Sequence, residues 1–129
     1  MIPFYIGEVM RRKTEQLEKE RRAARAVEKL DHPDTELVVV TDEGEPIGVF
    51  THSEAVKLTE EQRDLSSTSL ADCQLSPVAT VDQSEDVATA AAIMEENGLR
   101  YLLVTKANKI IGYLTDRDIT EALAEADEE

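Results

Sequence analysis

The strongest constraint in this chain is an internal repeat. Sliding the sequence along itself by 64 residues, without a gap, lays Ile47-Gly48-Val49-Phe50-Thr51 on Ile111-Gly112-Tyr113-Leu114-Thr115, and Val40-Thr41 on Val104-Thr105. Apolar positions follow the same shift: Ile6 falls on Leu70, Val9 on Cys73, Leu17 on Val81, Ala23 on Val87, Ala26 on Ala90, Leu30 on Met94, and Leu37 to Val40 on Tyr101 to Val104. Identity is low, but burial class agrees almost end to end, which is the mark of an internal duplication. Two repeats, 1–64 and 65–129, are therefore expected, joined at Asp64-Leu65-Ser66-Ser67. A half of about 60 residues is marginal alone, so the copies are expected to pack together as a single folding unit.

The second copy is the easier to read. Thr68 or Ser69 is placed to cap a short helix carrying Leu70 and Cys73, which Ser76-Pro77 ends, because proline disfavours helical geometry in its predecessor. A short strand, Val78 to Val81, follows. Asp82 and Glu85 form a capping-box pattern ahead of a helix whose Val87, Ala90, Ala91 and Met94 recur at helical spacing, ended by Asn97-Gly98. Two apolar runs, Tyr101 to Val104 and Ile110 to Leu114, are joined by a short polar link suited to a hairpin, and a last helix runs from about Asp116 to Ala124. Strands alternating with helices give an α/β fold, a small sheet covered by helices in each repeat. In the first copy, Arg11 to Arg25 is a charged run. Glu8 with Arg12, Glu15 with Lys19 and Glu18 with Arg22 stand four residues apart, and together they predict one continuous helix from about Ile6 to Leu30.

Charge narrows the partners. Residues 1–30 hold eight Lys/Arg against five Asp/Glu, and the remainder six against twenty-three, within a formal charge of −14. So acidic a body repels nucleic acid and anionic membranes, and the acids among Arg11, Arg12, Lys13, Arg21, Arg22 and Arg25 dilute the basic patch. Nucleic acid is therefore not the expected partner. No segment approaches the roughly 18 to 20 apolar residues of a membrane span, which predicts a cytoplasmic protein. Cys73 is the single cysteine and reads as a small core residue, and neither His32 nor His52 belongs to a cluster with metal-ligand spacing. No metal site is expected. The absence of a Ser/His/Asp or Cys/His arrangement and of a phosphate-cradling glycine loop predicts no catalytic residues and no enzyme.

The chemically suggestive stretch is Gly112-Tyr113-Leu114-Thr115-Asp116-Arg117-Asp118, a strand end opening into a helix. Glycine permits close backbone approach, helix-start N–H groups favour an anion, and the Asp118 carboxylate can accept the two hydrogen bonds of a vicinal diol. Taken alone, Thr115 with Asp118, like Thr51 with Glu54, is an ordinary capping box. The pattern gains weight by occurring twice, each time after a hairpin.

Together with the short strand Pro77 to Val81 and the helix end Met94-Glu95-Glu96-Asn97-Gly98-Leu99, this stretch resembles a CBS domain, well over 68–124 and more loosely over 6–60. The resemblance implies two tandem CBS repeats packed with pseudo-twofold symmetry (a Bateman module), commonly a homodimer. It also implies an adenosine-containing ligand, such as AMP, ADP, ATP or S-adenosylmethionine, in the cleft between repeats, with no required cofactor. By the same resemblance, backbone groups near Val78 and Ala79 would meet the purine edge, Thr80 and Thr115 the ribose or phosphate, Asp118 the ribose, and Arg100 and Arg117 a phosphate. Leu103 stands where the family usually has proline. The first repeat looks weaker: Glu36 replaces the base at the Arg100 position, Glu54 replaces Asp118, and the expected helix would remove half of a pocket. One working site, mainly in the second repeat, is expected. The alternative is a ligand-free module that dimerises or docks to a partner protein. His52 is expected as a solvated helix-start residue and Tyr101 as a core residue.

Overall fold

The computed structural model describes residues 4–127. Each repeat is a three-stranded sheet with helices. The first comprises α1 (Ile6–Val9), β1 (Glu15–Glu18), α2 (Ala23–Leu30), β2 (Leu37–Asp42), β3 (Glu45–Thr51) and α3 (His52–Glu60). The second comprises a 3-10 turn (Leu70–Asp72), β4 (Thr80–Asp82), α4 (Val87–Asn97), β5 (Tyr101–Lys106), β6 (Lys109–Thr115) and α5 (Asp116–Asp127).

Both sheets share one topology. β1 runs parallel to β2 and β2 antiparallel to β3; β4, β5 and β6 repeat the arrangement. The irregularity in each hairpin falls at the same place, between Val40 and Thr41 and between Val104 and Thr105. Each hairpin closes through two left-handed residues, Glu43-Gly44 and Ala107-Asn108, the backbone that a right-twisted two-residue turn requires. The 64-residue period thus extends from burial class to strand register.

The expected helix from Ile6 to Leu30 is not formed. Its middle is strand β1, whose Leu17 is buried in the apolar cluster with Val38, Val40 and Phe50. The charges that suggested helical pairs are engaged elsewhere. Glu15 pairs with Lys29 at 2.6 Å and Lys19 with Asp42 at 3.1 Å. Glu18 accepts from the Thr41 hydroxyl and from the turn amides of Glu43 (2.9 Å) and Gly44 (3.3 Å). Those hydrogen bonds, that of Thr41 foremost, hold its carboxyl below the usual glutamate range. The charged run is a strand laced to a hairpin turn.

The start of α4 also differs from expectation. Asp82 turns back to Ser84, accepting its amide at 2.9 Å, and Asp86 is the residue that caps the helix, accepting the Thr89 amide at 2.8 Å. The helix ends as expected at Gly98, with φ +62°. Val87, Ala90 and Met94 are buried along it, but Ala91 is exposed. At the other end of the chain, α5 continues past Ala124 to Asp127.

The chain divides into two compact units: Glu15–Val78, and a second that joins the residues up to Thr14 to those from Ala79 on. These compact units are a different partition from the two repeats, 1–64 and 65–129, read from the sequence. Each unit completes the body of one repeat with the leading segment of the other, through matching backbone bonds. In one, Ile6 N–H donates to Glu85 O (2.9 Å), Gly7 N–H to Gln83 O (3.1 Å), and Val87 N–H to Phe4 O (3.1 Å). In the other, Leu70 N–H donates to Arg21 O (2.8 Å), Ala71 N–H to Lys19 O (2.9 Å), and Ala23 N–H to Thr68 O (2.8 Å). Every one of these residues has its counterpart at the 64-residue shift. Ile6 and Met10 accordingly belong to the apolar cluster of Val81, Leu102 and Leu114, while Leu70 belongs to that of Leu17 and Phe50. Among the described residues, one apolar cluster therefore lies within each unit.

Candidate ligand site

The corner between β6 and α5 is fixed first by backbone capping. Thr115 N–H donates to Asp118 Oδ2 at 3.0 Å, and Asp118 N–H donates to Thr115 Oγ1 at 3.1 Å. This reciprocal pair satisfies two helix-start donors at once. Both residues are buried, Thr115 5% and Asp118 8% exposed.

A third participant comes from the opposite end of the chain. Arg11 pairs with Tyr113 on the free edge of β6, donating its amide to Tyr113 O (2.8 Å) and accepting from Tyr113 N–H (3.0 Å). Its Nε reaches both oxygens of Asp118, at 3.2 and 3.3 Å, and its guanidinium carbon lies 5.7 Å from the centre of the Tyr113 ring. Gly112 makes this approach possible, since a Cβ there would stand 2.0 Å from the Arg11 carbonyl oxygen. The glycine that suggested room for a ligand makes room for the chain's own backbone.

The first repeat builds the same corner with different side chains. Glu54 Oε1 accepts from the amide and the hydroxyl of Thr51, both at 2.6 Å. Ser76 pairs with Val49 on the free edge of β3 and donates its hydroxyl to Glu54 Oε2 at 2.8 Å. Here Gly48 faces the Leu75 side chain, with 2.6 Å to a Cβ. The hydroxyl of Thr14, which the 64-residue shift places on Val78, is buried without a hydrogen-bond partner.

Of the other expected site residues, Ala79 is half-buried and its carbonyl accepts from Leu103 N–H at 2.8 Å. A proline at 103 could not donate that bond, so the leucine ties β5 to the approach to β4. Val78 and Thr80 are exposed. Arg100 is exposed as well, and its carbonyl accepts from the Asp116 amide at 3.0 Å, which puts it at the helix start. Arg117 points outward and pairs with Glu121 at 3.3 Å, one turn along an exposed face. Thr115 and Asp118 are thus brought together, while the Arg117 side chain is directed elsewhere. Arg11 was missed by sequence reasoning: its contact with Asp118 spans 107 positions and carries no local motif.

Other groups behave as ordinary structure. Cys73 packs beside the first repeat's apolar cluster, where burial pushes its thiol up. His52 is exposed at the first position of α3 and, with Val27, Glu28, Leu30, Asp31 and Ala55, lines a hollow of about 310 Å³ that includes none of the expected site residues. Tyr101 is buried in β5. No group of His, Cys, Asp and Glu among the described residues could hold a metal ion.

The model of the CBS domain matches this sequence twice, over residues 6–61 and 70–125. The chain belongs to the CBS domain family. It is 29% identical over 119 residues to an uncharacterized protein of Methanopyrus kandleri, a match that takes in 90% of this chain but 61% of that relative. The chain therefore spans about three fifths of the length of the curated relative it matches. Among solved structures it is similar to a protein with CBS domains from Burkholderia ambifaria (TM-score 0.86, 19% identity, 98% of this chain and 97% of that one). It is similar also to a CBS domain protein of Pyrobaculum aerophilum complexed with AMP (TM-score 0.80, 20% identity, 98% and 100%). At such identities these likenesses speak for the fold, the tandem CBS pair. No helix among the described residues is long and apolar enough to cross a membrane.

Proposed function

We propose that this CBS pair is a ligand-sensing regulatory module that binds an adenosine-containing nucleotide, AMP, ADP, ATP or S-adenosylmethionine, mainly through its second repeat. CBS pairs as a class are regulatory and ligand-binding modules, and the AMP complex of the Pyrobaculum aerophilum relative supports the choice of ligand. The observation that carries the proposal is the buried corner in which Thr115 and Asp118 hold each other beside a helix start. A carboxylate so oriented suits a ribose diol, a threonine hydroxyl and helix-start amides suit a phosphate, and Arg100 stands exposed at the same helix start. Val78, Ala79 and Thr80 are the proposed purine and ribose contacts, and Arg117 would have to leave Glu121 to reach a phosphate. The preference for the second repeat rests on Glu54 and Glu36 standing where the second repeat has Asp118 and Arg100, because β1 is present in the first repeat after all. On the same proposal the chain acts as a cytoplasmic homodimer, with exposed apolar Val56 and Leu123 available to a second chain. A partner protein responds, and any catalysis belongs to that partner.

A specific observation favours a second possibility, a ligand-free interaction and dimerisation module: Asp118 is already engaged by Thr115 and Arg11. Titration calorimetry separates the two. AMP, ADP, ATP and S-adenosylmethionine are titrated into the wild type and Asp118→Ala, and binding of one of them near one equivalent per chain, weakened at least roughly tenfold by the substitution, is expected for lost charge-assisted bonds. No heat with any of the four, or two equal sites per chain, would overturn the proposal.

A further inference from the structure

We propose that Arg11 is a latch on Asp118, so that a ligand must displace the guanidinium before the carboxylate can hold a diol. This rests on the assignment of Asp118 to a ribose. The carboxylate already accepts the Thr115 amide on Oδ2, and Arg11 Nε spans both of its oxygens. A carboxylate offers about four acceptor positions, so a diol, which needs both oxygens, competes with the guanidinium for the same edge. The two partners are unequally accessible: the Arg11 side chain is 28% exposed and that of Asp118 9%. An incoming ligand therefore meets the cation first.

The geometry suits a latch that opens and returns. Two backbone bonds pin Arg11 to Tyr113, so opening needs only a rotation of a flexible side chain, with the strand edge left in place. Ser76 occupies the matching place in the first repeat and presents a short neutral hydroxyl to Glu54, which has neither reach nor charge to do the same. A guanidinium displaced from Asp118 gives up that anion. A nucleotide brings another in its phosphate, whereas a neutral nucleoside breaks the ion pair and returns nothing. Arg11 thereby selects ligands that carry a diol and a phosphate together.

Adenosine and AMP, titrated into the wild type, Arg11→Ala and Arg11→Gln, test this. Adenosine is uncharged, which isolates the latch from the change in net charge. Both variants should bind adenosine roughly three- to tenfold tighter than the wild type, the scale of a partly exposed ion pair released, and bind AMP no tighter, so the preference for AMP falls. Circular dichroism and melting curves check that each variant is folded, and Arg11→Gln retains the long stem should Arg11→Ala fail. Adenosine binding unchanged or weakened in both variants, with AMP still bound by the wild type, overturns the latch and leaves the adenosine site standing. AMP weakened with adenosine unaltered would make Arg11 a plain phosphate contact, which also overturns it. Failure of all three proteins to bind either compound removes the adenosine site, and the latch with it.

Discussion

The two strand-to-helix corners are built on one backbone plan and carry different chemistry. In each, a threonine ends a strand and an acid three residues later closes a capping box, and a residue from the leading segment of the other repeat pairs with the strand edge and touches that acid. At the first corner the longer Glu54 divides its oxygens between Thr51 and the Ser76 hydroxyl, so every partner is neutral. At the second, the shorter Asp118 shares its oxygens between a backbone amide and the Arg11 guanidinium. The capping motif supplies the fixture, and a residue outside the motif decides whether the acid is held by a hydroxyl or by a movable cation.

If the exchange of leading segments is truly equivalent in the two units, its anchoring residues should be of equal worth. Ile6 and Leu70 are matched by the 64-residue shift, and each is fully buried in the cluster of the repeat that it completes. Ile6→Ala and Leu70→Ala should each lower stability by about 2–5 kcal/mol, the range for truncating a buried aliphatic side chain. Urea denaturation monitored by circular dichroism measures both. A cost below about 1 kcal/mol for one, with the full cost for the other, would mean that only one unit depends on its borrowed segment.

A smaller effect, and a sharper contrast, is expected at the two glycines. A Cβ at Gly112 would collide with backbone, the Arg11 carbonyl oxygen at 2.0 Å, and can be accommodated only by prising the Arg11 backbone from β6. At Gly48 the obstacles are Cδ1 and Cβ of Leu75, both at 2.6 Å; the first can turn away, and the second needs a smaller shift of the Leu75 backbone than the 2.0 Å clash at Gly112 demands. Gly112→Ala should therefore destabilise by about 2–3 kcal/mol and Gly48→Ala by about 1 kcal/mol, within the usual span of overpacking. Equal losses in thermal and urea unfolding would show that the Arg11 pairing is no tighter than its counterpart.

Much of this architecture was legible because its signals are local. The hairpins announced themselves by apolar runs around short polar links, α4 by its spacing and its Asn97-Gly98 stop, and the corners by Thr-x-x-acid after a strand. Strand β1 was not legible, because a four-residue strand with one buried side chain, Leu17, shows no alternation to read. Its charges also happen to lie at helical spacing, although Glu15 and Lys19 pair with Lys29 and Asp42. The start of α4 was misplaced for a related reason. Asp82 and Glu85 satisfy a capping rule, but the Phe4 carbonyl receives the Val87 amide and Tyr5 pairs with Asp86, so contacts from the far end of the chain set the boundary. At the site, Thr115 and Asp118 were visible as a motif and Arg11 was not. The bond between Arg11 and Asp118 is tertiary, and the feature that admits it, Gly112, looks the same in sequence as a glycine that admits a ligand.

The finest contrast lies at the helices that follow the first strand of each sheet. Helix α4 is capped by the Asp86 side chain, whereas α2 begins after Arg22, which provides no side-chain cap. Hydrogen bonds from Thr89, first its amide and then its hydroxyl, hold the Asp86 carboxyl below the ordinary aspartate range. A carboxyl depressed in the folded state adds stability at pH values above its unfolded pKa, and the contribution is lost as pH falls through the folded value. Asp82 and Glu18, held low chiefly by the Ser84 and Thr41 hydroxyls, add to the same acid limb, so melting temperature should fall as the solution is taken through and below the ordinary carboxylate range. Asp86→Ala should lower the melting temperature slightly at neutral pH and shrink the difference toward zero in acid, when the wild-type cap is protonated too. Arg22→Asp should do the reverse in the other unit, raising the neutral melting temperature by a small amount that acid removes. Melting curves across this range decide the matter: a difference between Asp86→Ala and wild type that persists unchanged into acid would mean that the cap acts through its shape and not through its ionised carboxylate.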